Sequence, residues 1–330
     1  MNFPKADWQT ALINAVTEPK ELFSLLQLDD DLLEVAYQAA ARFPLKVPHS
    51  FIARMEKKNI NDPLLRQVLP IEAELQDIAG YFADPLEESS CNPIPGLLHK
   101  YQARVLLTYT AICAINCRYC FRREFPYNKN NPGSAGWNDA LDYISHDDSI
   151  REVILSGGDP LVANDTTLKN IVEKIADISH ITRLRIHSRM PVVLPERVTP
   201  ELIQLLVNTR LKPVMVVHCN HAQEINDEVR DTMRRMTDAR IPLLNQSVLL
   251  RGINDNEDAL VSLSEALFDA GILPYYLHVL DKVKGTAHFD LTRQTAVNLH
   301  QGMMKRLPGY LVPRLVCEQA GAFSKLYIHA

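Results

Sequence analysis

The pattern of apolar positions divides the chain into two regions. In the first hundred residues, apolar side chains recur at helical spacing over residues 20–28, 31–42 and 50–58. Prolines interrupt these segments, and no stretch has the pattern of a buried strand. We therefore predict that residues 1–100 form a helical N-terminal region, which ends in the proline-rich loop at 91–96.

From about residue 101, short apolar runs alternate with amphipathic helical stretches. The predicted strands are 105–110, 153–156, 184–187, 214–218, 243–248, 275–279 and a last apolar run at 311–317. The predicted helices lie near 137–146, 165–178, 199–208, 223–238, 257–270 and 292–306. This alternation is typical of βαβ units and a parallel sheet.

No glycine-rich dinucleotide fingerprint accompanies the six predicted units. We therefore expect an α/β fold in which residues 101–330 form a partial (β/α)6 barrel, rather than a Rossmann sheet. In such barrels the chemistry lies at the carboxyl ends of the strands.

Composition narrows the class of partner. Lys and Arg number 35 against 40 Asp and Glu, so the net charge of −5 gives no basic surplus for nucleic-acid binding. The N-terminus lacks a basic segment followed by an apolar run, and no apolar stretch approaches the length of a membrane span. We expect a cytoplasmic protein that binds neither nucleic acid nor membrane.

Three of the six cysteines lie close together, in the pattern C-x3-C-x2-C after the first barrel strand: Cys113, Cys117 and Cys120. Such a group in a reducing compartment indicates a metal or catalytic site rather than disulfides. Thiolates at this spacing can hold a [4Fe–4S] cluster, with one iron left open to the amino and carboxylate groups of S-adenosylmethionine. A zinc site is the alternative, but no fourth Cys or His has zinc-finger spacing.

The cluster segment resembles the radical S-adenosylmethionine superfamily, and motifs elsewhere resemble its lysine 2,3-aminomutase family. The motifs are HKYQAR at 99–104, CFRR at 120–123, SGGDP at 156–160, SRMPVVLP at 188–195, NQSVLL at 245–250, and Asp281 followed by His288. Their order and spacing extend from about residue 63 to residue 325. The resemblance implies an isomerase that converts (S)-α-lysine to (R)-β-lysine with S-adenosylmethionine and pyridoxal phosphate.

The same resemblance implies which residues contact S-adenosylmethionine. They are Ser156, Gly157, Gly158, Asp159, His218 and Gln246. A glycine pair at a strand end allows close backbone approach to a ligand. Alternatively, the glycine segment forms an ordinary tight turn. His218 and Gln246 would then only hydrogen-bond to backbone groups at the strand ends.

Pyridoxal phosphate is implied to form an imine with Lys325. Its phosphate would lie against Lys100, Tyr101 and Arg104. Lys100 replaces a family arginine, which substitutes a point charge for a planar fork, and the loop at 318–325 is poorer in glycine than the family's. Without the resemblance, Lys325 would be read as a solvated surface charge.

For substrate recognition, the resemblance implies one cation and two acids. Arg122 matches the carboxylate-binding arginine of the family, while Asp281 and Glu318 match its acids for the distal ammonium of lysine. Glu318 is one methylene longer than the family's aspartate, which changes the depth of the pocket. Surface ion pairs are the alternative for such acids.

The short segment after Lys325 indicates which branch of the family the chain resembles. Only residues 326–330 follow, without cysteine, and Asn256 stands where the family's fermentative enzymes have a zinc ligand for a partner subunit. These features resemble the short bacterial branch that supplies (R)-β-lysine for elongation factor P, together with a lysyl-tRNA-synthetase-like ligase. The alternatives are a fermentative or osmolyte-type lysine 2,3-aminomutase, a radical activase acting on a partner protein, and a non-catalytic iron–sulfur or zinc module.

Overall fold

The N-terminal region is helical in a computed structural model, which describes residues 7–130 and 133–329. Residues 1–6 of the predicted N-terminal region, and residues 131, 132 and 330 of the predicted barrel, lie outside the described ranges. Its helices are α1 (Trp8–Ile13), α2 (Pro19–Leu26), α3 (Leu33–Arg42) and α4 (His49–Ile52). The prediction of a helix over 50–58 is wrong in length. Lys58 adopts a left-handed backbone with φ 59°, and its N–H donates to the Leu26 carbonyl at 2.8 Å, so the chain turns back onto α2.

A strand lies where the sequence predicted none. β1 (Leu97–Tyr101) pairs antiparallel with β2 (Arg104–Thr110), and a two-residue turn joins them. Leu97 and Leu98 are buried. The apolar run of β1 is only two residues long, which is too short to show strand periodicity in the sequence.

The rest of the chain alternates between strands and helices. Strands β3 to β9 are Glu152–Gly157, Arg183–Ser188, Lys212–Val217, Leu243–Val248, Leu273–His278, Arg314–Cys317 and Leu326–Tyr327. Helices α5 to α12 are Tyr127–Asn130, Gly133–Ser145, Asp165–Asp177, Met190–Val193, Pro200–Val207, Asp227–Asp238, Glu257–Asp269 and Arg293–Arg306. Every strand and helix predicted after residue 101 overlaps one of these.

The sheet follows the chain order from β1 to β9. Strands β2 to β8 run parallel, and β9 pairs antiparallel with β8. In the described part of the chain, β1 and β9 are the two edges, so the barrel stays open. Each strand from β2 to β7 is followed by a crossover that contains a helix, which confirms the partial (β/α)6 barrel.

The N-terminal helices share their core with the barrel. Phe23 and Phe51 belong to the same cluster of buried apolar side chains as Leu107 of β2 and Leu155 of β3. Burying one large apolar side chain contributes about 1.5–3 kcal/mol, so this shared core holds the two regions firmly together. Among the described helices, none is long and apolar enough to cross a membrane.

Candidate active site

One cavity at the carboxyl ends of the barrel strands is lined by every residue that the sequence proposed for the site. These are Lys100, Tyr101, Arg104, Cys113, Cys117, Cys120, Arg122, Ser156, Gly157, Gly158, Asp159, His218, Gln246, Asp281, Glu318 and Lys325. Most come from the carboxyl ends of parallel strands or the loops that follow them, which a barrel directs to the same side. Lys100 and Tyr101 lie instead at the end of the antiparallel edge strand β1, where Tyr101 is opposite Arg104 at the start of β2. The fold therefore brings the whole predicted set together.

Three free thiols lie in the loop after β2, at one end of this cavity: Cys113, Cys117 and Cys120. Burial and the neighbouring Cys117 raise the pKa of Cys120 to about 11, and burial also raises the pKa of Cys113 well above its usual value. Buried thiolates this close together repel one another unless a positive centre binds them, and sulfur donors suit an iron–sulfur cluster. The donor set therefore fits a cluster with positively charged iron.

Nothing in the described ranges supports the zinc alternative. Over residues 7–130 and 133–329, no three His, Cys, Asp or Glu side chains converge closely enough to hold a single metal ion. A four-iron cluster spaces its thiolates further apart than one ion does, so this observation concerns zinc alone.

The glycine pair at the end of β3 lies directly against the cysteine loop. A Cβ at Gly157, where φ is 108°, would lie 2.6 Å from the Thr110 carbonyl oxygen, and one at Gly158 would lie 2.4 Å from that of Ile112. The Gly158 N–H donates to the Thr110 carbonyl at 2.7 Å. The sequence predicted close approach of a ligand here, whereas the approach that the structure shows is by the chain's own backbone.

Replacing Gly158 with alanine is therefore expected to displace the cysteine loop. Forcing a methyl group into a packed backbone contact costs about 1–3 kcal/mol, and the loop can relieve it only by moving its thiols. We expect iron content after anaerobic reconstitution to fall well below that of the wild type. Gly309→Ala is the matched control, because a Cβ at Gly309 meets nothing within 4 Å. Full iron loading of Gly158→Ala would contradict this account.

Asp159 is engaged entirely by the protein. Its Oδ1 accepts hydrogen bonds from the Ser188 hydroxyl at 2.7 Å and the Leu161 N–H at 3.0 Å. Its Oδ2 accepts from the backbone N–H groups of Arg189 at 2.7 Å and Met190 at 3.1 Å. The carboxylate thus joins the ends of β3 and β4, and its part in a cofactor site is to fix the loop.

Arg189 connects the cysteine loop to the N-terminal region, and sequence reasoning gave it no role. Its Nη1 donates to the Cys117 sulfur at 2.7 Å. Its Nη2 donates to Glu224 at 3.0 Å and to Gln67 at 2.5 Å. The guanidinium thus places a positive charge directly beside one of the three predicted cluster ligands. Arg189 lies in the SRMPVVLP motif, but nothing in that motif indicated a cysteine 72 residues earlier.

Uncharged histidines form one wall of the cavity. Burial lowers the pKa of His218 and of His278 to about 3, so both rings are neutral at ordinary pH. The Nε2 of His218 lies 2.8 Å from Nε2 of Gln246. His187 also lines this wall, and its buried Nε2 has no hydrogen-bond partner among the residues that the structure describes. An orphaned polar atom indicates that a ligand belongs here.

His187 and His278 were missed at the sequence level. Each lies at or next to the carboxyl end of its strand, β4 for His187 and β7 for His278. The resemblance selected His218 and not these two, but their place at the strand ends is a signal that could have found both.

At the opposite end of the cavity, Lys325 and Glu318 form an ion pair, and Glu318 also accepts a hydrogen bond from Lys100 at 3.4 Å. Burial opposes the charge on Glu318, but Lys325 and Lys100 outweigh it and lower its pKa to about 2. Burial and the charge of Glu318 raise the pKa of Asp281 to about 7. Within the described chain the Asp281 carboxylate makes no hydrogen bond, so it is open to a ligand.

Arg122 is held by an acid that sequence reasoning did not find. Its Nε and Nη2 donate to the two carboxylate oxygens of Glu88, each at 2.8 Å, and its Nη1 donates to Ser156 at 3.3 Å. Glu88 also pairs with Lys100 at 2.9 Å. The predicted carboxylate-binding arginine is therefore in the cavity, with one edge bound to protein.

Arg104 and Tyr101, two of the predicted phosphate ligands, are suited to bind an anion. The Arg104 guanidinium lies over the Tyr101 ring, 4.5 Å from its centroid, and has no ion-pair partner in the described ranges. Burial raises the pKa of Tyr101, which therefore remains a hydrogen-bond donor. Lys325 lies 5.7 Å from the centroid of Tyr276. A lysine for an imine and an unpaired guanidinium in one cavity fit pyridoxal phosphate.

Comparison with known proteins is consistent with this geometry. Residues 107–263 match the model of the Radical SAM superfamily. The chain is 48% identical to an L-lysine 2,3-aminomutase of Buchnera aphidicola, over 98% of this chain and 96% of that protein. It is 47% identical to the Escherichia coli L-lysine 2,3-aminomutase, over 98% and 95%. Identity to the Clostridium subterminale L-lysine 2,3-aminomutase is 35%, over 97% and 77%.

Proposed function

Because this chain belongs to the lysine 2,3-aminomutase family of radical S-adenosylmethionine enzymes, we propose that it converts (S)-α-lysine to (R)-β-lysine. The observation that carries the proposal is the single cavity that joins three thiols at one end to Lys325 and two acids at the other. An amino shift within one small molecule needs both sets of groups in one enclosed space.

Three cofactors are assigned to residues of this cavity. Cys113, Cys117 and Cys120 would hold a [4Fe–4S] cluster, and Lys325 would hold pyridoxal phosphate, with Lys100, Tyr101 and Arg104 at its phosphate. S-adenosylmethionine would contact Ser156, Gly157, Gly158, His218 and Gln246, while Asp159 fixes the loop. When bound, the cluster and S-adenosylmethionine supply radical hydrogen abstraction, and pyridoxal phosphate supplies a conjugated ring that delocalises the unpaired electron.

The chain's own side chains orient lysine between the two ends. Arg122 is proposed to bind the lysine carboxylate through the edge that Glu88 leaves free. Asp281 is the acid with an open carboxylate, so it is proposed as the main partner of the distal ammonium, with Glu318 beside it. The neutral histidine wall adds no charge that would compete for either end of the substrate.

The direct test is an anaerobic assay with free L-lysine. Protein reconstituted with iron, sulfide, pyridoxal phosphate and S-adenosylmethionine should form β-lysine, and chiral chromatography should identify it as the (R) isomer. Absence of β-lysine from a preparation that contains all three cofactors and cleaves S-adenosylmethionine would contradict the proposal. A radical activase would contain the cluster but no pyridoxal phosphate, so absorbance of the bound cofactor separates the two readings.

The raised pKa of Asp281 predicts how activity depends on pH. Below a pKa of about 7, Asp281 is protonated and cannot pair with an ammonium group, whereas above it the carboxylate is charged. We expect kcat/KM for lysine to fall about tenfold per pH unit below that pKa, because kcat/KM reports the ionisation of the free enzyme. The inflection should therefore lie near pH 7.

Asp281→Asn is the variant that tests this assignment. It should have a low kcat/KM for lysine without the acidic limb. A limb that persists in Asp281→Asn would assign the ionisation to another group.

We further propose that the product serves modification of elongation factor P, through a lysyl-tRNA-synthetase-like ligase, in the cytoplasm. Identity is higher to the Buchnera and Escherichia relatives than to the Clostridium enzyme. Asn256, at the position of the family's zinc ligand, is the N-cap of α11, where its Oδ1 accepts from the Ala259 N–H at 2.9 Å. The fold thus uses this side chain as a helix cap.

Mass spectrometry of elongation factor P tests this role. Factor from cells that lack this protein should lose the mass of a β-lysyl group, and added (R)-β-lysine should restore it. Unchanged modification, with free β-lysine accumulating in wild-type cells, would favour a fermentative or osmolyte role.

A further inference from the structure

Glu88 is a buried acid in the cavity to which neither the sequence motifs nor the proposed reaction gives a role. It begins the short turn Glu88–Cys91 of the N-terminal region, and only 3% of the residue is exposed. Burial opposes its charge, but the Arg122 and Lys100 cations outweigh burial and keep its pKa below the usual range. Glu88 is therefore a carboxylate, and its position is determined by two cations.

Its contacts with Arg122 occupy one specific edge of the guanidinium. The two Glu88 oxygens accept from Nε and Nη2 at 2.8 Å each, which is the side-on bidentate arrangement. Such paired hydrogen bonds fix both the plane and the direction of the fork. Nη1 remains, and it lies 3.3 Å from the Ser156 hydroxyl at the end of β3. A carboxylate from a substrate can then approach only the Nη1 edge.

The same acid connects Arg122 to the other charged groups of the site. Glu88 lies 2.9 Å from Lys100, Lys100 lies 3.4 Å from Glu318, and Glu318 pairs with Lys325. Charges alternate in sign along this series. Glu88 thus links Arg122, proposed for the substrate carboxylate, to Lys100, proposed for the cofactor phosphate.

We propose that Glu88 is a positioning residue, which orients Arg122 for the carboxylate of lysine and sets its distance from Lys100. This inference rests on the proposed function. Because Glu88 acts through Arg122, its loss should weaken the binding of lysine more than it slows the chemical steps. Its loss should leave the cluster intact, because within the described residues the Glu88 side chain bonds to Arg122 and Lys100 and to no thiol of the cysteine loop.

The test is Glu88→Gln in the reconstituted enzyme. Glutamine keeps the size of the side chain, but it has one acceptor oxygen and turns an N–H donor toward the guanidinium. We expect KM for lysine to rise at least about tenfold while kcat changes by less than about threefold. Iron content should match the wild type, and KM is measured with saturating pyridoxal phosphate, because Glu88 also pairs with the proposed phosphate ligand Lys100. Glu87→Gln is the matched control, because Glu87 is the preceding residue and is exposed.

A double-mutant cycle separates positioning from a general effect on the fold. If Glu88 acts through Arg122, then Glu88→Gln should change KM by less than about twofold in an Arg122→Met background. Equal effects in both backgrounds would overturn the inference. So would an unchanged KM in Glu88→Gln, or a loss of iron that parallels the loss of activity.

Glu88→Asp keeps the inference testable if Glu88→Gln does not fold. Aspartate retains the charge but is shorter, so it should recover the cofactors and give an intermediate KM; a wild-type KM would overturn the inference. A wild-type protein that does not convert lysine would overturn the proposed function, and this inference with it. An active wild type with an unaffected Glu88→Gln would overturn the inference alone.

Discussion

Cys117→Ala is expected to lose the iron–sulfur cluster and all turnover. The loop supplies three thiols, and removing one leaves two, with no other thiol among the cavity-lining residues to replace it. The variant should still fold. Arg189, which donates to the Cys117 sulfur at 2.7 Å, keeps its bonds to Glu224 and Gln67, so the mutation leaves no buried charge unpaired.

The measurement is iron and sulfide content after anaerobic reconstitution, with circular dichroism to verify the fold. Cys91→Ala is the control that should retain full iron, because Cys91 lies outside the cysteine loop, in the turn Glu88–Cys91. Full iron and activity in Cys117→Ala would refute the assignment of the cluster. Loss of iron with loss of helical signal would instead make Cys117 a structural residue.

The barrel and its cavity could be predicted from the sequence because their signals are local. Short apolar runs such as that at 214–217 are visible within a few residues, and the cysteine spacing lies within one loop. Once the strands are known to be parallel, residues at their carboxyl ends must meet on one side of the barrel. That rule alone places His218 and Gln246 in the same cavity as the cysteines.

The acids that hold the arginines of the cysteine loop could not be predicted in the same way. Glu74 pairs with Arg118 at 2.6 Å and with Arg123 at 3.0 Å, and Glu88 pairs with Arg122. These partners lie 34 to 49 residues apart in the chain, in irregular segments with no periodic pattern. Pairing at such distances depends on tertiary packing. The N-terminal region thus provides the counter-charges for the cysteine loop as well as apolar core.

Glu318 makes contacts that the sequence did not predict. The sequence placed it beside Asp281, as a second acid for the distal ammonium. In the structure it contacts Lys325 and Lys100, and Asp281 keeps the open carboxylate. Replacement of Glu318 should therefore alter pyridoxal phosphate binding as well as lysine binding, since both of its partners are proposed ligands of that cofactor.

Lys325→Ala is expected to lose covalently bound pyridoxal phosphate and to reduce lysine turnover at least about a thousandfold, or about 4 kcal/mol of activation free energy. The iron content should match the wild type, because the partners of the Lys325 side chain in the described ranges are Glu318 and the Tyr276 ring, and none is a cysteine. Glu318 retains Lys100 as a partner at 3.4 Å, so the variant leaves no isolated buried acid and should fold.

Borohydride reduction followed by peptide mass mapping locates the lysine to which the cofactor is attached. Lys305→Ala, an exposed lysine at the end of α12, is the control that should behave as wild type. Attachment of the cofactor to another lysine in Lys325→Ala, with activity preserved, would show that the wrong residue had been assigned. Loss of attachment together with loss of iron would mean that the two ends of the cavity are not independent.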